Sequence, residues 1–339
     1  MRHCNVPIFI PHMGCPHQCV FCNQRSISGC DCFCEERVEK EIEQALSTLS
    51  ADDEVEIAFF GGSFTGIERG LMLRLLQTAQ RYVDAGRASS IRLSTRPDYI
   101  SSEILDILSR FSVKTIELGI QSMDDAVLLQ SRRGHTAKDS WEACRAVVSA
   151  GFTLVGQMMV GLPGATGQSE CQTAQALVSM GVSAVRIYPT VVFYETPLCD
   201  MTLCGAYTPL SLDEAVKRSA DVLEIFDASG VPCIRLGLCA TEDLVSDQKV
   251  FKGPNHPALG ELVMSECYYR RVVRALRERD LIGKNAVLYV PEREVSRAVG
   301  HKRQNIKRLW EETQTRLRVI GAFDLCEMQV TTPNANNPI

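Results

Sequence analysis

The sequence predicts an α/β fold built on a parallel sheet. Short apolar segments alternate with segments of helical periodicity through residue 188, and parallel strands need such helical crossovers. Glycine-rich or polar motifs follow the apolar segments, as at the ligand-binding ends of parallel barrel strands. A composition of 45% hydrophobic and 23% charged residues is typical of a globular protein. The predicted strands are Val6–Ile10, Val55–Phe60, Ser90–Ser94, Thr115–Leu118, Phe152–Val160 and Ala184–Tyr188.

Helical periodicity fills the segments between these strands. The predicted helices are Glu35–Leu49, Glu68–Ala85, Ser101–Ser109, a stretch from Asp124, Thr136–Ala150 and Ser169–Met180. Farther along the chain we expect a linker at Thr196–Pro209, then a helix that a capping box at Ser211–Glu214 opens and that ends near Ala228. A strand at Cys233–Leu238 and a mainly helical stretch at His256–Arg279 follow.

Three cysteines lie directly after the first predicted strand: Cys15, Cys19 and Cys22, in the spacing C-x3-C-x2-C. Thiolates this close can bind zinc, copper(I) or an iron–sulfur cluster. A structural zinc site normally has four protein ligands, and a four-iron cluster usually takes four cysteines. Three thiolates on such a cluster would leave one iron open. Half of a zinc site, with its fourth ligand elsewhere, is the alternative, although no second C-x2-C follows.

The other candidate site residues follow or interrupt the later strands. Glycine-rich loops after the second and fifth strands, Gly61-Gly62-Ser63 and Gly161 to Gly164, allow backbone N–H groups to approach a polar ligand. Arg96 ends the third strand, where its guanidinium could pair with a carboxylate or lie on the surface. Glu117 and Arg186 interrupt apolar strands. Because burial of an unpaired charge is costly, they indicate a ligand or a buried ion pair.

The motifs CPHQCVFC, FFGGSFTG, STRPD, ELGIQS, GLPG and VRIYP together resemble the radical S-adenosylmethionine (SAM) domain of the Elongator catalytic subunit and its bacterial relatives. The resemblance covers about residues 5–260. It implies a partial (β/α)6 TIM-like barrel with a small C-terminal α/β domain. It also implies that Cys15, Cys19 and Cys22 hold a 4Fe–4S cluster. The open iron would bind SAM, whose reductive cleavage gives a 5′-deoxyadenosyl radical that abstracts hydrogen from a substrate.

The resemblance also implies which residues bind SAM. The glycine-rich motif would contact its amino group, although Ser63 stands where the family usually has an acid. Glu117 would bind the ribose, and the loop from Gly161 to Gly164 the adenine. Phe21 supplies the aromatic residue typical before the last cysteine. The full set is Phe21, Gly61, Gly62, Ser63, Arg96, Glu117, Gln121, Arg186, Gly161 and Gly164.

The C-terminal segment has a different character. We expect residues 1–205 to form the barrel, 206–280 a helical extension, 281–330 a small domain and 331–339 a disordered tail. The small domain resembles a KH domain, in which a G-x-x-G loop binds a nucleic-acid backbone. Arg303 stands at the second glycine position. The candidate nucleic-acid-binding residues are Gly300, Lys302, Arg303, Lys307 and Arg308; a small appendage with a solvated basic helix is the alternative.

These observations predict a radical SAM enzyme that modifies RNA, specifically tRNA, with an electron donor such as flavodoxin or ferredoxin. Two alternatives stay open: a small-molecule enzyme similar to oxygen-independent coproporphyrinogen III oxidases, and a non-enzymatic RNA-binding protein with a structural metal. In 339 residues we expect no acetyltransferase domain like that of Elongator.

Cellular location follows from composition. No apolar run reaches the roughly 18 residues that span a membrane, so we expect no membrane partner. Fifteen cysteines without a secretory signal indicate a cytoplasmic protein. Cys30, Cys32 and Cys34 form a C-x-C-x-C tract that is either a second metal site or a set of incidental loop thiols.

Overall fold

The computed structural model describes residues 2–15, 19–23, 33–50, 52–238 and 249–333. The chain divides into two compact units. The first comprises residues 1–215 and 225–257, and the second comprises residues 216–224 and 258–339. None of the described helices is long and apolar enough to cross a membrane.

A seven-stranded sheet forms the centre of the first unit, and every pair of neighbouring strands in it is parallel. Its strands lie side by side in chain order. They are β1 (His3–Ile10), β2 (Glu54–Gly61), β3 (Ser90–Thr95), β4 (Val113–Gln121), β5 (Thr153–Val160) and β6 (Ala184–Pro189). After β7 (Val192–Phe193) comes the seventh strand, β8 (Cys233–Leu236), and β7 pairs with β9 (Val250–Lys252) in a separate antiparallel ribbon. The predicted partial α/β barrel is confirmed, with one strand more than six.

Helices connect the successive strands. They are α1 (Val38–Leu46), α2 (Arg69–Asp84), α3 (Ser102–Leu108), α4 (Asp125–Gln130), α5 (Ala137–Ser149), α6 (Gly167–Ser179), α7 (Pro197–Leu203) and α8 (Leu212–Ala228). Local sequence fixes several starts: capping boxes open α5 at Thr136 and α8, as predicted, at Ser211. The linker prediction is wrong at α7, where Thr196 caps the helix and Pro197 occupies its first turn.

The strands of the sheet are buried along most of their length, which agrees with their nearly continuous apolar sequence. The exceptions are charged side chains inside the strands, among them Glu56, Arg92 and Glu117, which are buried together with the apolar residues. At the end of β4 the register shifts between Gly119 and Gln121, and Gln121 has a left-handed φ of 68°. This irregularity lies at the edge of the sheet where the site is expected.

The second unit contains a three-stranded sheet in the order β11-β10-β12. Its elements are α9 (Leu259–Glu278), β10 (Asn285–Pro291), α10 (Val295–Val299), α11 (Gln304–Thr313), β11 (Arg316–Ala322) and β12 (Gln329–Thr331). β10 runs parallel to β11 and antiparallel to β12.

Helix α9 shares a hydrophobic core with this sheet, in which Leu276 packs with Leu288 and Leu309. The predicted boundary between residues 280 and 281 therefore separates elements of one core, and the three-part division stays a prediction. β12 ends at Thr331, the first residue of the predicted tail, and residues 334–339 lie outside the described residues. Short 3-10 turns occur at Glu35–Arg37, Phe64–Gly66, Pro97–Tyr99, Glu292–Glu294 and His301–Arg303.

Candidate active site

The loop after β1 carries the three predicted ligands. Cys19 is buried, whereas Cys15 and Cys22 are partly exposed, and a turn closes between the Cys22 N–H and the Cys19 carbonyl at 3.1 Å. Phe21 packs against an apolar group that includes Val20 and Leu198. Residues 16–18 between the first two ligands lie outside the described residues.

The glycine-rich motif after β2 holds this cysteine loop in place. The Gly62 N–H donates to the Ile10 carbonyl at 2.7 Å, and the Ser63 N–H donates to the Met13 carbonyl at 2.9 Å. A Cβ atom at Gly62 would lie 2.0 Å from the Met13 oxygen, so a larger residue does not fit there. The Ser63 hydroxyl lies 3.3 Å from the Cys15 sulfur. The two backbone N–H groups are thus already used, and the predicted SAM contact of Gly61, Gly62 and Ser63 stays a prediction.

Two buried arginines lie beside Cys19. Arg133 donates from Nη1 to the Cys19 sulfur at 3.2 Å, and Nη1 of Arg96 lies 3.9 Å from the same atom. Arg133 also donates to the Gly119 carbonyl, and Arg96 donates to the Arg133 carbonyl. The sequence predicted Arg96 but not Arg133.

Arg96 pairs with the carboxylate of Asp98, and its predicted SAM contact stays a prediction. Its Nε donates to Oδ1 of Asp98 at 2.9 Å and its Nη2 to Oδ2 at 2.9 Å, a bidentate pair within one turn of chain. Burial lowers the pKa of Arg96, but the bonds to Asp98 and the charges of Asp98, Cys19 and Cys15 raise it further, so the pKa is raised overall. Arg96 therefore stays charged.

His135 is buried in the same polar group and stays neutral. Burial, followed by the positive charge of Arg133, lowers its pKa from 6.5 to about 4. Within the described part of the chain neither ring nitrogen has a side-chain hydrogen-bond partner, and its Nδ1 lies 3.8 Å from Oδ1 of Asp98. His135 adds no positive charge to the site at neutral pH.

Among the described residues, Oε1 of Gln121 and Nε of Arg133 are further buried polar atoms without a hydrogen-bond partner at this edge of the sheet. Both side chains lie over Gly119, since a Cβ there would be 3.1 Å from Nε2 of Gln121 and 3.4 Å from Nη2 of Arg133. Buried polar groups are normally hydrogen-bonded. An acceptor and a donor left over beside Cys19 fit a polar ligand at this position.

Glu117, which is fully buried, and Arg186, which is partly buried, form an ion pair, the second of the two interpretations that their sequence allowed. The carboxylate of Glu117 accepts from Nη1 of Arg92 at 2.8 Å, from Nη2 of Arg186 at 2.9 Å and from Nε2 of Gln157 at 2.9 Å. Arg92 also contacts Glu56 at 2.7 Å. The ribose contact predicted for Glu117 and the SAM contact predicted for Arg186 would require some of these bonds to open, and both stay predictions.

The loop after β5 is also held from both sides. The Gly161 N–H donates to the buried carboxylate of Glu170 at 2.6 Å, and the Gly161 carbonyl accepts from the Tyr207 hydroxyl at 2.6 Å. Gly161 and Gly164 have left-handed φ angles of 82° and 78°. The predicted adenine contact stays a prediction.

No three His, Cys, Asp or Glu side chains converge on a single metal position within the described ranges. A 4Fe–4S cluster does not require such convergence, because each thiolate binds a different iron. The residues around Cys19 suit such a cluster. Two guanidinium groups lie next to the Cys19 sulfur, where they would stabilise an anionic, thiolate-bound centre. Cys34 donates to the Glu36 carboxylate at 3.0 Å, and that bond is the main cause that raises the pKa of its thiol. Cys30 and Cys32 lie outside the described residues, so the second metal site stays a prediction.

The predicted nucleic-acid loop in the second unit has an unusual backbone. Gly300, Lys302 and Arg303 have φ angles of 77°, 49° and 63°, and the side chains of Lys302, Arg303 and Lys307 are exposed. Arg308 differs. Its Nη1 donates to Glu266 at 2.6 Å, its Nε donates to Glu312 at 2.7 Å, and its guanidinium lies 4.1 Å from the Tyr269 ring centre. Arg308 therefore stabilises the second unit.

Comparison with known families agrees with the site. A family model described as the Radical SAM superfamily matches residues 9–177, and one described as the Radical_SAM C-terminal domain matches residues 182–269. The chain belongs to the radical SAM superfamily. It is an enzyme of the class that uses a 4Fe–4S cluster and SAM, which together supply one-electron chemistry for hydrogen abstraction.

Similar proteins include an uncharacterized protein of Methanocaldococcus jannaschii, 28% identical over 62% of this chain and 69% of that protein. The tRNA uridine(34) acetyltransferase of Methanocaldococcus infernus is 25% identical over 52% of this chain and 37% of its own length. Among solved structures, an Elp3 from the same archaeon, truncated at its N-terminus, aligns with a TM-score of 0.60 at 19% identity, over 82% of this chain and 63% of that one. This chain spans well under half the length of the acetyltransferase relative.

Proposed function

We propose that this radical SAM enzyme acts on RNA, specifically on tRNA. The supporting observation is that relatives named tRNA uridine(34) acetyltransferase and Elongator complex protein 3 match 52% and 54% of this chain. The match to the superfamily model, at residues 9–177, includes the cysteine loop and the polar group around Cys19. The proposal concerns the radical chemistry alone, and a low-potential donor such as flavodoxin or ferredoxin would supply the electron.

The second unit offers a surface for the RNA backbone. The basic loop, defined here as Lys302, Arg303 and Lys307, carries exposed cations without a carboxylate partner among the described residues. Asn305 fixes its shape, because Nδ2 of this buried side chain donates to the carbonyls of Ser265, Arg297 and Ala298. A loop that is both cationic and preshaped suits contacts to phosphate, which are set by charge rather than by base sequence.

The direct test of the substrate is anaerobic. Protein with its cluster reconstituted is reduced with dithionite in the presence of SAM, with and without unmodified tRNA, and 5′-deoxyadenosine and digested tRNA nucleosides are measured by mass spectrometry. We expect a new nucleoside mass that forms only with tRNA and not with the Cys19→Ala variant. Turnover of a tetrapyrrole or another small molecule, with tRNA unchanged, would contradict the RNA proposal and favour the small-molecule alternative.

The basic loop is tested by RNA binding. We expect Lys302→Gln, Arg303→Gln and Lys307→Gln together to weaken tRNA binding by at least about tenfold at low salt. The slope of log affinity against log salt should fall by about 2 to 3, since up to three phosphate contacts are lost. The measurement is filter binding across a salt series.

The control variant neutralises three exposed cations of the first unit, Lys40, Arg110 and Lys138. It removes the same net charge from the protein, so it measures the nonspecific part of the effect. Equal losses of affinity in the two triple variants would rule out the basic loop as the RNA contact.

A further inference from the structure

The buried charges beside Cys19 do not cancel. The carboxylate of Asp98 is matched by Arg96 through two hydrogen bonds, and His135 is neutral. Arg133 forms no ion pair with any carboxylate in the described part of the chain; its partners are the Cys19 sulfur and the Gly119 carbonyl. One buried guanidinium is therefore left without a carboxylate.

Such a charge is expensive to bury alone. The atom that it faces at 3.2 Å is the sulfur of a predicted cluster ligand, and a thiolate bound to iron is anionic. The arrangement is thus complete only when Cys19 carries negative charge. The orientation of Arg133 is fixed, because its Nη2 donates to the Gly119 carbonyl at the register shift of β4. This bond keeps Nη1 directed at the sulfur.

We propose that Arg133 is a positioning residue that raises the reduction potential of the cluster through its hydrogen bond to the Cys19 sulfur. When an external donor of the low-potential flavin or iron–sulfur class is oxidised by one electron, the cluster is reduced and gains one negative charge. Arg133 lies beside that added charge and stabilises the reduced form more than the oxidised form. Hydrogen bonds to cluster sulfurs and local net charge are known to set such potentials.

This inference depends on the radical SAM assignment and is independent of the RNA proposal. Its signature is electrochemical, so it needs no substrate. A residue that only supported the fold would change stability or iron loading, but it would not move the potential of a fully loaded cluster.

The experiment compares three variants of the full chain with the wild type after anaerobic reconstitution: Arg133→Gln, Arg133→Lys and Arg132→Gln. Arg132 is the matched control, since it is the neighbouring residue, carries the same charge and is exposed. Iron and sulfide content are measured first. The potential is then obtained from a mediated redox titration followed by electron paramagnetic resonance, without SAM or RNA.

At the potential that half-reduces the wild type, we expect the ratio of reduced to oxidised cluster to fall about tenfold in Arg133→Gln. For a one-electron couple this equals a shift of about 59 mV to more negative potential. Arg133→Lys should shift less, because it keeps the charge and loses the anchored geometry, and Arg132→Gln should match the wild type. A fully loaded Arg133→Gln protein with the wild-type potential would overturn the proposal.

If Arg133→Gln fails to load iron, the reduction potential of the Arg133→Lys cluster is the test. A shift of that potential to a more negative value than in the wild type supports the proposal, and an unchanged potential overturns it. Loss of the cluster in both variants with the fold intact, judged by circular dichroism, would assign Arg133 to cluster assembly and would also overturn the proposal.

Discussion

Two groups of buried arginines in the first unit differ in how their charge is matched. The strand-interior group lies inside the sheet, and its two arginines face two carboxylates; it consists of Glu56, Arg92, Glu117 and Arg186. Every charge in it has an opposite charge within 3 Å. The charges of this group are therefore balanced among its own side chains.

The second group lies at the ends of the strands and is not balanced in this way. Arg96 and Arg133 have one carboxylate between them, that of Asp98, and both lie near the Cys19 sulfur. Counting only contacts between described residues, Oε1 of Gln121 also lacks a hydrogen-bond partner here, as does Nε of Arg186 in the strand-interior group. The balanced charges of the strand-interior group stabilise the sheet. The unmatched positive charge at the strand ends suits an anionic cofactor instead.

The largest expected effect lies in the strand-interior group. Glu117→Ala would leave Arg92 and Arg186 buried with less opposite charge, and breaking a buried pair typically costs about 3–5 kcal/mol. The measurement is the free energy of unfolding of the first unit in urea. Glu103→Gln is the control, because the Glu103 side chain is 75% exposed and its pairing with Arg69 is worth about 0–1 kcal/mol. A loss in Glu117→Ala no larger than in the control would show that the group is not structural.

The two groups should lose their contributions to stability over different pH ranges as the pH falls. The folded-state pKa of His135 is lowered to about 4, so between about 6.5 and 4 the unfolded chain binds a proton that the folded chain does not. Stability is therefore present above pH 6.5 and is lost as the pH falls towards 4, by at most about 3–4 kcal/mol at about 1.36 kcal/mol per pKa unit. The measurement is the urea midpoint of the wild type and of His135→Phe from pH 7 to pH 4.

Glu56 responds at lower pH. Burial raises its pKa, but Arg92, Ser90 and His3 lower it more, so the pKa falls below 4.5 overall. Its contribution is present above the unfolded value and is lost only as the pH falls below it. In His135→Phe the urea midpoint should therefore change little with pH above 4.5, whereas its fall below pH 4.5 should remain. An unchanged curve between pH 6.5 and pH 4.5 would exclude His135 as the source.

The sequence allowed the cysteine loop and the strand ends to be predicted because their signals are local. The spacing of Cys15, Cys19 and Cys22 and the glycines after β2 and β5 belong to single loops, and each parallel strand has its own apolar run. The predicted strands overlap the observed ones, with differences of a few residues at the ends. Strands β7, β9 and β12 were missed because two or three residues give no usable periodicity.

The missed site residues depend on contacts that are far apart in sequence. Arg92 lies in an apolar strand, the same signal that identified Arg186, and could have been found by it. Arg133 could not have been found, because it follows Arg132 in a loop and nothing local distinguishes the buried arginine from the exposed one. Only the packing of that loop on the cysteine loop, through the Val20 N–H and the Ser131 carbonyl at 3.2 Å, separates the two.

A neutral contact at the same edge of the sheet gives the smallest effect and sets the scale for the charged ones. Tyr207→Phe removes the hydroxyl that donates to the Gly161 carbonyl, and we expect a loss of about 1 kcal/mol in the free energy of unfolding, the usual worth of one neutral hydrogen bond. Tyr194→Phe is the matched control, since the Tyr194 side chain is exposed and its ring contact with Phe251 is kept.

If Tyr207→Phe lowered the free energy of unfolding as much as Glu117→Ala does, the loss in Glu117→Ala would not be specific to charge. Charge matching would then not explain the arginines in the strand interior. If it cost no more than Tyr194→Phe, the loop at Gly161 would be held by the Glu170 carboxylate alone. We expect the loss of unfolding free energy in Tyr207→Phe to lie between those of Tyr194→Phe and Glu117→Ala. The effect of a neutral hydrogen bond could then be compared directly with that of a buried charge. The open charge of Arg133 could then be attributed to the cofactor rather than to a generally polar edge.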